Sequence, residues 1–480
     1  MENKAEMERV AAIVLAAGMG TRMRSARPKV LHELAGEPMI GRVMGALAPL
    51  RPAPLVVVVG HLADEVAAAA RRFAPSDNLI FARQPGQRGT GDAARCGLAA
   101  MGPDFDGDVL ILYGDMPRVR AAALAAFLAE HRRSGAPLSF ISTMMDPPGP
   151  YGRVIRDEAG AVRAIVEVRD ATPAELAIGE VNSGVYLARA DALRTLLDEL
   201  QPNNAQGEYY LTDAVAIARR QGLSVHAWLC GESWQFEGVN SRMEMAVMEA
   251  DIRAAVNRRL MESGVTLIDP ASAYIGEHVE IGRDTIIGPN VQILGRSRIG
   301  ADVRIEGTAW LRDVEIGDGC HIKIGVRAEE CRIGPDCEIG PFANLRTGTE
   351  LEGRNRIGNF VETKKARFGR GTKASHLSYL GDAVIGSDTN IGCGVITVNY
   401  DGYDKHLTRI GSRCMVGCDT QLVAPVKVGD DVYVASGTTI LREIPDGALC
   451  VSHHPQRIKP GWVEQWRRRH AGRAESDGSE

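Results

Sequence analysis

A glycine-rich turn near the start of the chain carries the first residues that could do chemistry. Residues 15–23 (LAAGMGTRM) follow an apolar run, and Gly18 and Gly20 would let backbone N–H groups face a phosphate. Arg22 and Lys29 add fixed positive charge. The turn lacks the Gly-Lys-Ser/Thr ending of a P-loop and the glycine spacing of the Rossmann fingerprint. These residues indicate an anion site; the alternative is a plain strand-to-helix turn with two solvated cations.

Two single residues further along could act as a metal ligand and as a base. Asp115 follows the apolar run 109–112, and ligands of α/β proteins bind at the carboxyl ends of such strands. His376 lies in residues 373–379 (KASHLSY), and histidine is the usual proton acceptor near neutral pH. Taken alone, an aspartate such as Asp115 is more often an ordinary carboxylate in a turn, and a histidine such as His376 is more often structural or on the surface. Their roles therefore depend on the secondary structure that surrounds them.

Apolar runs alternate with helical stretches in the part of the chain that would position Asp115. The strand candidates are residues 10–15, 55–59, 109–112 and 138–143, and the helix candidates are residues 62–73 and 121–133. This alternation predicts an α/β domain over residues 1–239, Rossmann-like with a mostly parallel sheet. Residues 241–262 carry an apolar stripe that predicts a helix, and we interpret residues 240–264 as a linker helix.

The second half of the sequence follows a six-residue repeat. An aliphatic residue, often followed by glycine, recurs every six positions from Ile275 to Ile440, with a few slips of register. Such hexapeptides are typical of a parallel β-helix, whose aliphatic side chains point inward and whose corners exclude a Cβ. We predict a left-handed parallel β-helix over residues 265–455. The repeated positions are Ile275, Ile281, Ile287, Ile293, Ile299, Ile305, Leu311, Ile316, Ile333, Ile339, Leu345, Leu351, Ile357, Phe368, Ala374, Leu380, Ile385, Ile391, Thr397, Ile410, Val416, Leu422, Val428, Val434 and Ile440.

One insertion and a tail interrupt this pattern. Between Thr397 and Ile410 the repeat opens into NYDGYDKHLT, a polar loop predicted to project from the solenoid. Insertions in repeat proteins lie on one face and often carry function. The repeats stop after Val451, and residues 456–480 form a charged tail predicted to be partly disordered.

Composition limits the classes of function. A chain of 480 residues fits two domains, and a net charge of -5 gives no bulk attraction to nucleic acid. Neither a membrane-spanning run nor a signal peptide is evident, so we expect a cytoplasmic location. The nine cysteines include no C-x-x-C pair, which favours free buried thiols over disulfides or a structural zinc site. Cys414 and Cys418, four residues apart, are interpreted as separate buried thiols.

The glycine-rich turn and Lys29 resemble the signature of sugar-1-phosphate nucleotidyltransferases. Further segments match in chain order, and with the hexapeptide half the resemblance covers nearly the whole chain. The sequence resembles the family of bifunctional N-acetylglucosamine-1-phosphate uridyltransferase/glucosamine-1-phosphate acetyltransferases. The matching segments are Gln84 with Gly89-Thr90-Gly91, Tyr113-Gly114-Asp115, Tyr151-Gly152-Arg153, Ile165-Val166-Glu167, Asn182-Ser183-Gly184, residues 206–213 (QGEYYLTD) and Glu237-Gly238-Val239-Asn240.

The resemblance implies two reactions in the biosynthesis of UDP-N-acetylglucosamine, a precursor of the cell wall. Glucosamine 1-phosphate would be acetylated with acetyl-CoA, and UMP would then pass from UTP to N-acetylglucosamine 1-phosphate with release of pyrophosphate. The implied cofactor is Mg²⁺, and the implied partners are small-molecule substrates, without nucleic acid or integral membrane association. The family is homotrimeric through the β-helix, with acetyl-transfer sites at the subunit junctions.

For uridyl transfer the resemblance implies residues that position substrates and neutralise charge, because the sugar phosphate oxygen itself attacks the α-phosphate. Arg22 and Lys29 would be catalytic, and Asp115 and Asn240 would hold the metal. Uracil would be read by Gln84, Gly89 and Thr90, and the sugar would be bound by Gly152, Glu167 and Asn182. The full set implied for UTP and UDP-N-acetylglucosamine is Leu15, Ala16, Ala17, Gly18, Lys29, Gln84, Gly89, Thr90, Tyr113, Gly114, Asp115, Gly152, Glu167, Asn182 and Asn240.

For acetyl transfer the resemblance makes His376 the general base, which accepts the amine proton as nitrogen attacks the thioester. The residues implied for glucosamine 1-phosphate are Arg346, Lys364, Tyr379 and Asn390. Those implied for acetyl-CoA are Asn399, Tyr400, Cys418, Ser436 and His453.

Three of these positions depart from the family pattern. Cys418, Ser436 and His453 stand where the family usually has Ser, Ala and Arg. The first two replacements are small, whereas the third removes a positive charge expected against a phosphate of coenzyme A. We therefore predict weakened acetyl-CoA binding, compensated by Arg457 or Lys459.

The substitution His453→Arg tests this prediction. It is expected to lower the KM for acetyl-CoA about tenfold, because a hydrogen bond to a charged group contributes about 1.5–3 kcal/mol. Thiol release measured at varied acetyl-CoA concentration gives this constant, and the KM for UTP in the same preparation is the control. An unchanged acetyl-CoA KM would show that the charge is dispensable.

Three alternatives stay open at the level of sequence. The chain could be a uridyltransferase whose β-helix is only a trimerisation scaffold. It could act on another sugar or base, as a glucose-1-phosphate thymidylyltransferase does, which a comparison of UTP with dTTP would separate. It could also be a non-catalytic regulatory subunit of a translation guanine-nucleotide exchange factor. Such subunits tend to lose the basic residues of the nucleotide site, whereas Arg22 and Lys29 are present here.

Overall fold

A computed structural model describes residues 9–18, 20–73, 78–452 and 456–470. Contacts within the chain divide it into two compact units, Met1–Arg253 and Ala254–Glu480. In the part of the chain so described, no helix is long and apolar enough to cross a membrane.

The described strands of the first unit are β1 Val10–Leu15, β2 Glu33–Leu34, β3 Glu37–Pro38, β4 Leu55–Val59, β5 Leu79–Arg83, β6 Asp108–Tyr113, β7 Leu138–Met144, β8 Arg153–Arg156, β9 Val162–Val166, β10 Glu180–Arg189 and β11 Val225–Leu229. Nine of them form one sheet with the order β11-β7-β10-β6-β1-β4-β5, to which the hairpin β8–β9 is attached beside β10. Strands β2 and β3 form a separate hairpin.

Helices cover both faces of this sheet. Alternate residues of β1 enter two separate apolar cores, with Ile13 in one and Val14 in the other, because successive strand side chains point to opposite faces. The helices of the unit are α1 Met39–Leu47, α2 Ala63–Arg71, α3 Thr90–Ala100, α4 Ala121–Ser134, α5 Pro173–Leu176, α6 Ala190–Asp198 and α7 Asp213–Arg220. Helices α3, α6 and α7 contribute to the first core, and α1, α2 and α4 contribute to the second.

The sheet is parallel where β6, β1, β4 and β5 pair, as the sequence predicts. Strand β10 runs antiparallel to both β6 and β7, so the sheet is mixed on its other side. Between β7 and β10 the chain forms the β8–β9 hairpin and only the short helix α5, in place of the long crossover helix that joins parallel strands. This end of the sheet carries residues of the proposed sugar site.

A long helix, α8 (Arg242–Glu262), follows the sheet. Its predicted apolar stripe is largely buried, since Met248, Ile252, Val256 and Leu260 are each no more than 5% exposed. The predicted helix covers residues 241–262, so the observed helix begins one residue later and ends at the predicted residue.

Within its described residues, the second unit is a parallel β-helix of 26 strands, most of them two or three residues long. Its strands are β12 Thr266–Leu267, β13 Tyr274–Ile275, β14 Glu280–Ile281, β15 Ile286–Ile287, β16 Gln292–Leu294, β17 Arg298–Ile299, β18 Arg304–Ile305, β19 Trp310–Arg312, β20 Glu315–Ile316, β21 His321–Ile322, β22 Arg327–Glu329, β23 Arg332–Ile333, β24 Glu338–Ile339, β25 Asn344–Leu345, β26 Glu350–Leu351, β27 Arg356–Phe368, β28 Lys373–Ile385, β29 Asn390–Ile391, β30 Ile396–Val398, β31 Thr408–Ile410, β32 Met415–Val416, β33 Gln421–Val423, β34 Val426–Val428, β35 Tyr433–Val434, β36 Thr439–Ile440 and β37 Leu449–Cys450. A short helix, α9 (Trp462–His470), follows them.

The hexapeptide positions stack in register along the solenoid. Ile275 pairs with Ile293, and Ile293 pairs with Leu311, so three repeats make one coil. A register slip marks a shorter coil, because Ile299 pairs with Ile316 one residue early. The inward positions are buried nearly throughout, as the repeat predicts.

Glycine at the corners lets successive coils approach. A Cβ on Gly282 would lie 2.5 Å from the backbone nitrogen of Ala301 on the next coil, and one on Gly334 would lie 2.5 Å from the carbonyl oxygen of Glu352. No side chain fits at such distances, which explains the recurrent aliphatic-glycine pair.

Candidate active sites

A cleft of about 280 Å³ opens at the carboxyl ends of β1 and β6 in the first unit. Ten of the residues implied for the nucleotide line it. They are Leu15, Ala16, Ala17, Gly18, Lys29, Gln84, Gly89, Thr90, Tyr113 and Asp115. The residue types alone did not indicate Val30, Gln87, Ala93 or Glu208, which also line the cleft.

The glycine-rich turn leaves space for a ligand. No atom lies within 4 Å of the position that a Cβ on Gly18 would take. Gly20 has a φ of 59°, and a Cβ there would lie 2.7 Å from Cβ of Lys29. Gly20 therefore allows both the left-handed turn and the close approach of Lys29, and the open side of Gly18 faces the cleft.

Lys29 joins the two residues implied for the metal. Its ammonium forms an ion pair with Asp115, and Nζ donates a second hydrogen bond to Oδ1 of Asn240 at 3.0 Å. The side chains of Lys29 and Asp115 are 15% and 16% exposed, so the pair is shielded from water. Two oxygen ligands thus converge on one cationic group, although they lie 125 residues apart in the chain.

The residues implied for the sugar are linked to the cleft through Tyr113. Burial and then the charge of Glu167 raise the pKa of Tyr113. Oε1 of Glu167 accepts a hydrogen bond from Thr212 at 3.2 Å and would lie 3.3 Å from a Cβ on Gly152. Burial also raises the pKa of Glu167. Glycine at 152 therefore leaves this carboxylate accessible from one side.

Neither Asn182 nor Arg22 lines the cleft. Nδ2 of Asn182 donates to the hydroxyl of Tyr186 at 2.7 Å within the sheet. Arg22 is exposed on the 3₁₀ turn Thr21–Met23, and it is absent from the residues that line the cleft.

In the second unit, the two longest strands carry Lys364, His376 and Tyr379 of the residues implied for acetyl transfer. Strands β27 and β28 pair in parallel, with Asn359 opposite His376 and Glu362 opposite Tyr379. His376 is exposed, and its Nδ1 lies 3.1 Å from Oδ1 of Asn359. If Nδ1 donates this hydrogen bond, Nε2 carries the lone pair, which is the tautomer that a base requires.

Three basic side chains gather near this histidine's strand. The close approach of the Lys405 ammonium, followed by repulsion from Arg346, lowers the pKa of Lys364. Nη1 of Arg346 donates to Oε1 of Glu362 at 2.7 Å. Lys405 belongs to the inserted loop and was not predicted, since a single lysine in a polar loop gives no signal in the sequence. The group is well suited to a phosphate, which would relieve the repulsion between the ammonium groups.

The base of the inserted loop is tied to the same strands. Nδ2 of Asn399 donates to Oδ2 of Asp382 at 2.6 Å and to the hydroxyl of Tyr379 at 3.5 Å. The hydroxyl of Tyr400 donates to the carbonyl of Gly402 within the loop. Asn390 lies on the neighbouring coil, where Nδ2 contacts Sδ of Met415 at 3.3 Å.

Two of the residues implied for acetyl-CoA lie on one ladder at a corner of the solenoid. The carbonyl of Cys393 accepts from the nitrogen of Asp419, and the carbonyl of Cys418 accepts from the nitrogen of Gly437, so Cys393, Cys418 and Ser436 stack on successive coils. All nine cysteines are free thiols. Cys418 is exposed, so the prediction that Cys414 and Cys418 are both buried is wrong for Cys418: it lies at a turn that points outward. His453 lies outside the described residues.

An apolar ridge runs along another corner, through Ile324, Phe342, Phe360 and Leu377. Their backbones stack on successive coils, and each side chain is 45–61% exposed. The rings of Phe342 and Phe360 stack at 5.7 Å between centroids. Phe360 follows Asn359 and Leu377 follows His376, so the ridge adjoins the candidate base.

Comparison with known proteins gives matches for both units. Models of a MobA-like NTP transferase domain, a GMPPB C-terminal domain and a bacterial transferase hexapeptide (six repeats) match residues 12–180, 270–352 and 407–442. A protein of Pelobacter propionicus named Bifunctional protein GlmU is 48% identical over 456 residues, which cover 95% of this chain and 98% of that relative. The chain belongs to the GlmU family. Proteins of the same name from Trichlorobacter lovleyi and Mycolicibacterium vanbaalenii are 46% and 45% identical, covering 94% and 96% of this chain and 97% and 94% of those relatives.

Membership of the GlmU family settles two of the alternatives. The chain is a bifunctional transferase, with uridyltransferase and acetyltransferase activities, and it uses nucleotide and acetyl-CoA substrates. A uridyltransferase with an inert β-helix and a non-catalytic regulatory subunit are both excluded, because GlmU proteins carry both activities on these two domains.

Proposed function

We propose that the cleft at Lys29 transfers UMP from UTP to N-acetylglucosamine 1-phosphate, and that the region around His376 acetylates glucosamine 1-phosphate. The observation that carries the first assignment is the convergence of Lys29, Asp115 and Asn240 beside an open glycine turn. This arrangement supplies positive charge, oxygen ligands and free backbone N–H groups to a triphosphate.

In uridyl transfer the protein holds the reactants in line and compensates charge. Gly18 presents its backbone to the phosphates, and Lys29 neutralises the charge that develops as pyrophosphate leaves. Arg22, on the exposed turn, reaches the outer phosphates with its flexible side chain. Glu167 accepts hydrogen bonds from sugar hydroxyls near Gly152, and Asn182 contacts the acetamido group. Gln84, Gly89 and Thr90 bind the base.

A divalent cation fits the oxygens of Asp115 and Asn240. Both already accept from a single ammonium group, so a small cation can contact them together. Among the described residues, no cluster of three or more His, Cys, Asp or Glu could hold a metal, so the remaining ligands would be substrate phosphates and water. Mg²⁺ bound there would neutralise phosphate oxygens of UTP.

In acetyl transfer His376 accepts the proton that leaves the amine of glucosamine 1-phosphate as nitrogen attacks the thioester carbonyl. Asn359 holds Nδ1, so that Nε2 faces the amine. Arg346, Lys364 and Lys405 bind the sugar phosphate, with Tyr379 and Asn390 on the sugar. Asn399, Tyr400 and the ladder of Cys418 and Ser436 contact acetyl-CoA, to which His453 is assigned from the sequence alone.

A coupled assay tests both assignments. Purified protein receives glucosamine 1-phosphate, acetyl-CoA, UTP and Mg²⁺, and free thiol and pyrophosphate are followed separately. Both products are expected, with thiol released first. Pyrophosphate that forms only from ready-made N-acetylglucosamine 1-phosphate would contradict the acetyl-transfer assignment, and replacement of UTP by dTTP measures the base preference.

We further propose that three copies assemble through the apolar ridge. Four stacked apolar side chains at half exposure are costly to leave in water, and a second copy of this chain would cover them. The ridge adjoins Asn359 and His376, so its burial would bring a neighbouring copy to the acetyl-transfer site. Side-by-side packing of three solenoids closes the assembly.

The double substitution F342E/F360E tests this assembly. Light scattering is expected to give three times the chain mass for the native protein and a smaller mass for the variant, because two carboxylates cannot be buried in an apolar contact. Acetyl transfer should fall at least tenfold while uridyl transfer persists. I286E, which alters an exposed apolar residue on an early coil, is the matched control. An unchanged mass for F342E/F360E would remove the ridge from the contact.

A further inference from the structure

The amide of Gln84 is held in one orientation by two acceptors. Nε2 donates to the carbonyl oxygen of Gly89 at 3.1 Å and to Oδ2 of Asp92 at 2.9 Å. A carbonyl and a carboxylate can only accept, so neither can pair with the amide oxygen of Gln84. A reversed amide would place oxygen against two oxygens. Both hydrogens of Nε2 are therefore used, and Oε1 is the atom left for a ligand in the cleft that Gln84 lines.

Asp92 is built into this position. It lies in the first turn of α3 and is only 2% exposed. Its second oxygen, Oδ1, accepts from Nη2 of Arg88 at 3.0 Å. The two oxygens thus have separate partners, one outside the cleft and one on Gln84. The carboxylate does not line the cleft itself.

An acceptor that cannot turn selects between pyrimidines. The pairing edge of uracil has one donor, N3–H, between two carbonyl oxygens. A fixed Oε1 can therefore pair with uracil only at N3–H. Cytosine carries a lone pair at N3, which would face that oxygen and leave a buried polar group unpaired. Such mismatches reject a ligand more strongly than a missing apolar contact does.

We propose that Asp92 is a positioning residue that sets the preference for UTP over CTP by fixing the orientation of the Gln84 amide. The inference rests on the proposed role of Gln84 in binding the base. Asp92 acts through Gln84 and does not touch the nucleotide.

The substitution Asp92→Asn tests the inference. A single amide oxygen must then serve both Arg88 and Gln84, and the new Nδ2 can donate to Oε1 of Gln84. Only the carbonyl of Gly89 then opposes a reversed Gln84 amide, so both orientations become populated. The ratio of kcat/KM for UTP to that for CTP is expected to fall at least tenfold. The change should lie in the KM for the nucleotide, and the KM for N-acetylglucosamine 1-phosphate should stay constant. Retained turnover of UTP with that constant KM reports that the first unit of the variant is folded.

Arg88→Ala is the matched control, because it removes the outer partner and leaves both oxygens of Asp92 in place. Its UTP-to-CTP ratio should equal that of the native protein. An unchanged ratio in Asp92→Asn would overturn the inference. Gln84→Ala distinguishes the role of Gln84 from that of Asp92. If it also leaves the UTP-to-CTP ratio unchanged, the role of Gln84 in base binding fails. If it alone collapses the ratio, only the role of Asp92 fails.

Discussion

Replacing His376 with alanine is expected to lower acetyl transfer by about 10²- to 10⁴-fold, which is the usual contribution of a general base. The amine of glucosamine 1-phosphate must lose a proton during attack, and His376, oriented by Asn359, is the group proposed to accept it. Thiol release under saturating acetyl-CoA measures the effect. Pyrophosphate release from UTP and N-acetylglucosamine 1-phosphate should be unchanged, because that reaction uses residues of the other unit.

His321→Ala is the matched control for this prediction. His321 also lies on the β-helix, but it pairs with Glu306 on a different coil. Its replacement should leave thiol release near the native rate. Equal losses in the two variants would show that the solenoid tolerates no histidine change, and the assignment of His376 as base would then have no support. The variant Asn359→Ala should give an intermediate loss, because Nδ1 of His376 loses its partner.

Asp115→Ala is expected to lower pyrophosphate release by about 10²-fold or more, comparable to the loss of a metal contact or a charge-stabilising group. The substitution removes one of the two oxygens that meet at Lys29. The Mg²⁺ concentration that gives half the maximal rate should rise, since Asn240 alone supplies a protein ligand. The affinity for UTP in the absence of metal, measured by fluorescence titration, should not fall, because the carboxylate that is removed repels a triphosphate.

Asp108→Ala provides the comparison on the same strand. Asp108 begins β6, whereas Asp115 follows the end of that strand, and Asp108 pairs with Arg132 away from the cleft. Its loss should affect thermal stability but neither the Mg²⁺ requirement nor the rate of pyrophosphate release. A native Mg²⁺ requirement in Asp115→Ala would contradict the metal assignment, whatever the rate.

The sequence predicts most of the fold because its signals are periodic. The six-residue repeat identifies the inward positions of the β-helix, and the stacking of Ile275, Ile293 and Leu311 follows from it. The four predicted strands of the first unit also occur within a residue or two of their predicted bounds. The antiparallel course of β10 could not be predicted in this way, because an apolar strand has the same pattern in either direction.

Only part of the candidate sites could be predicted from the sequence. Asp115 follows the end of β6, and Lys29 lies in the segment that follows β1, the parallel neighbour of β6. The two motif residues therefore meet at the same edge of the sheet. Asp92 and Lys405 were not predicted, because the role of Asp92 depends on the orientation of a side-chain amide and that of Lys405 on the inserted loop folding back. The exposure of Cys418 was missed because a turn position and an inward position differ by two residues in the repeat.

The continuous ladder of the β-helix also determines how firmly the acetyl-transfer region is held. Each coil is hydrogen-bonded only to the coils before and after it, so the cost of separating coils accumulates from either end. Strands β27 and β28 lie in the interior of the solenoid, after strands β12 to β26 and before strands β29 to β37. Amide hydrogen exchange should therefore be fastest in the terminal coils and slowest around His376. Fraying at an end would leave the base and its phosphate-binding cations in place, so the active coils are insulated from the motion of the termini.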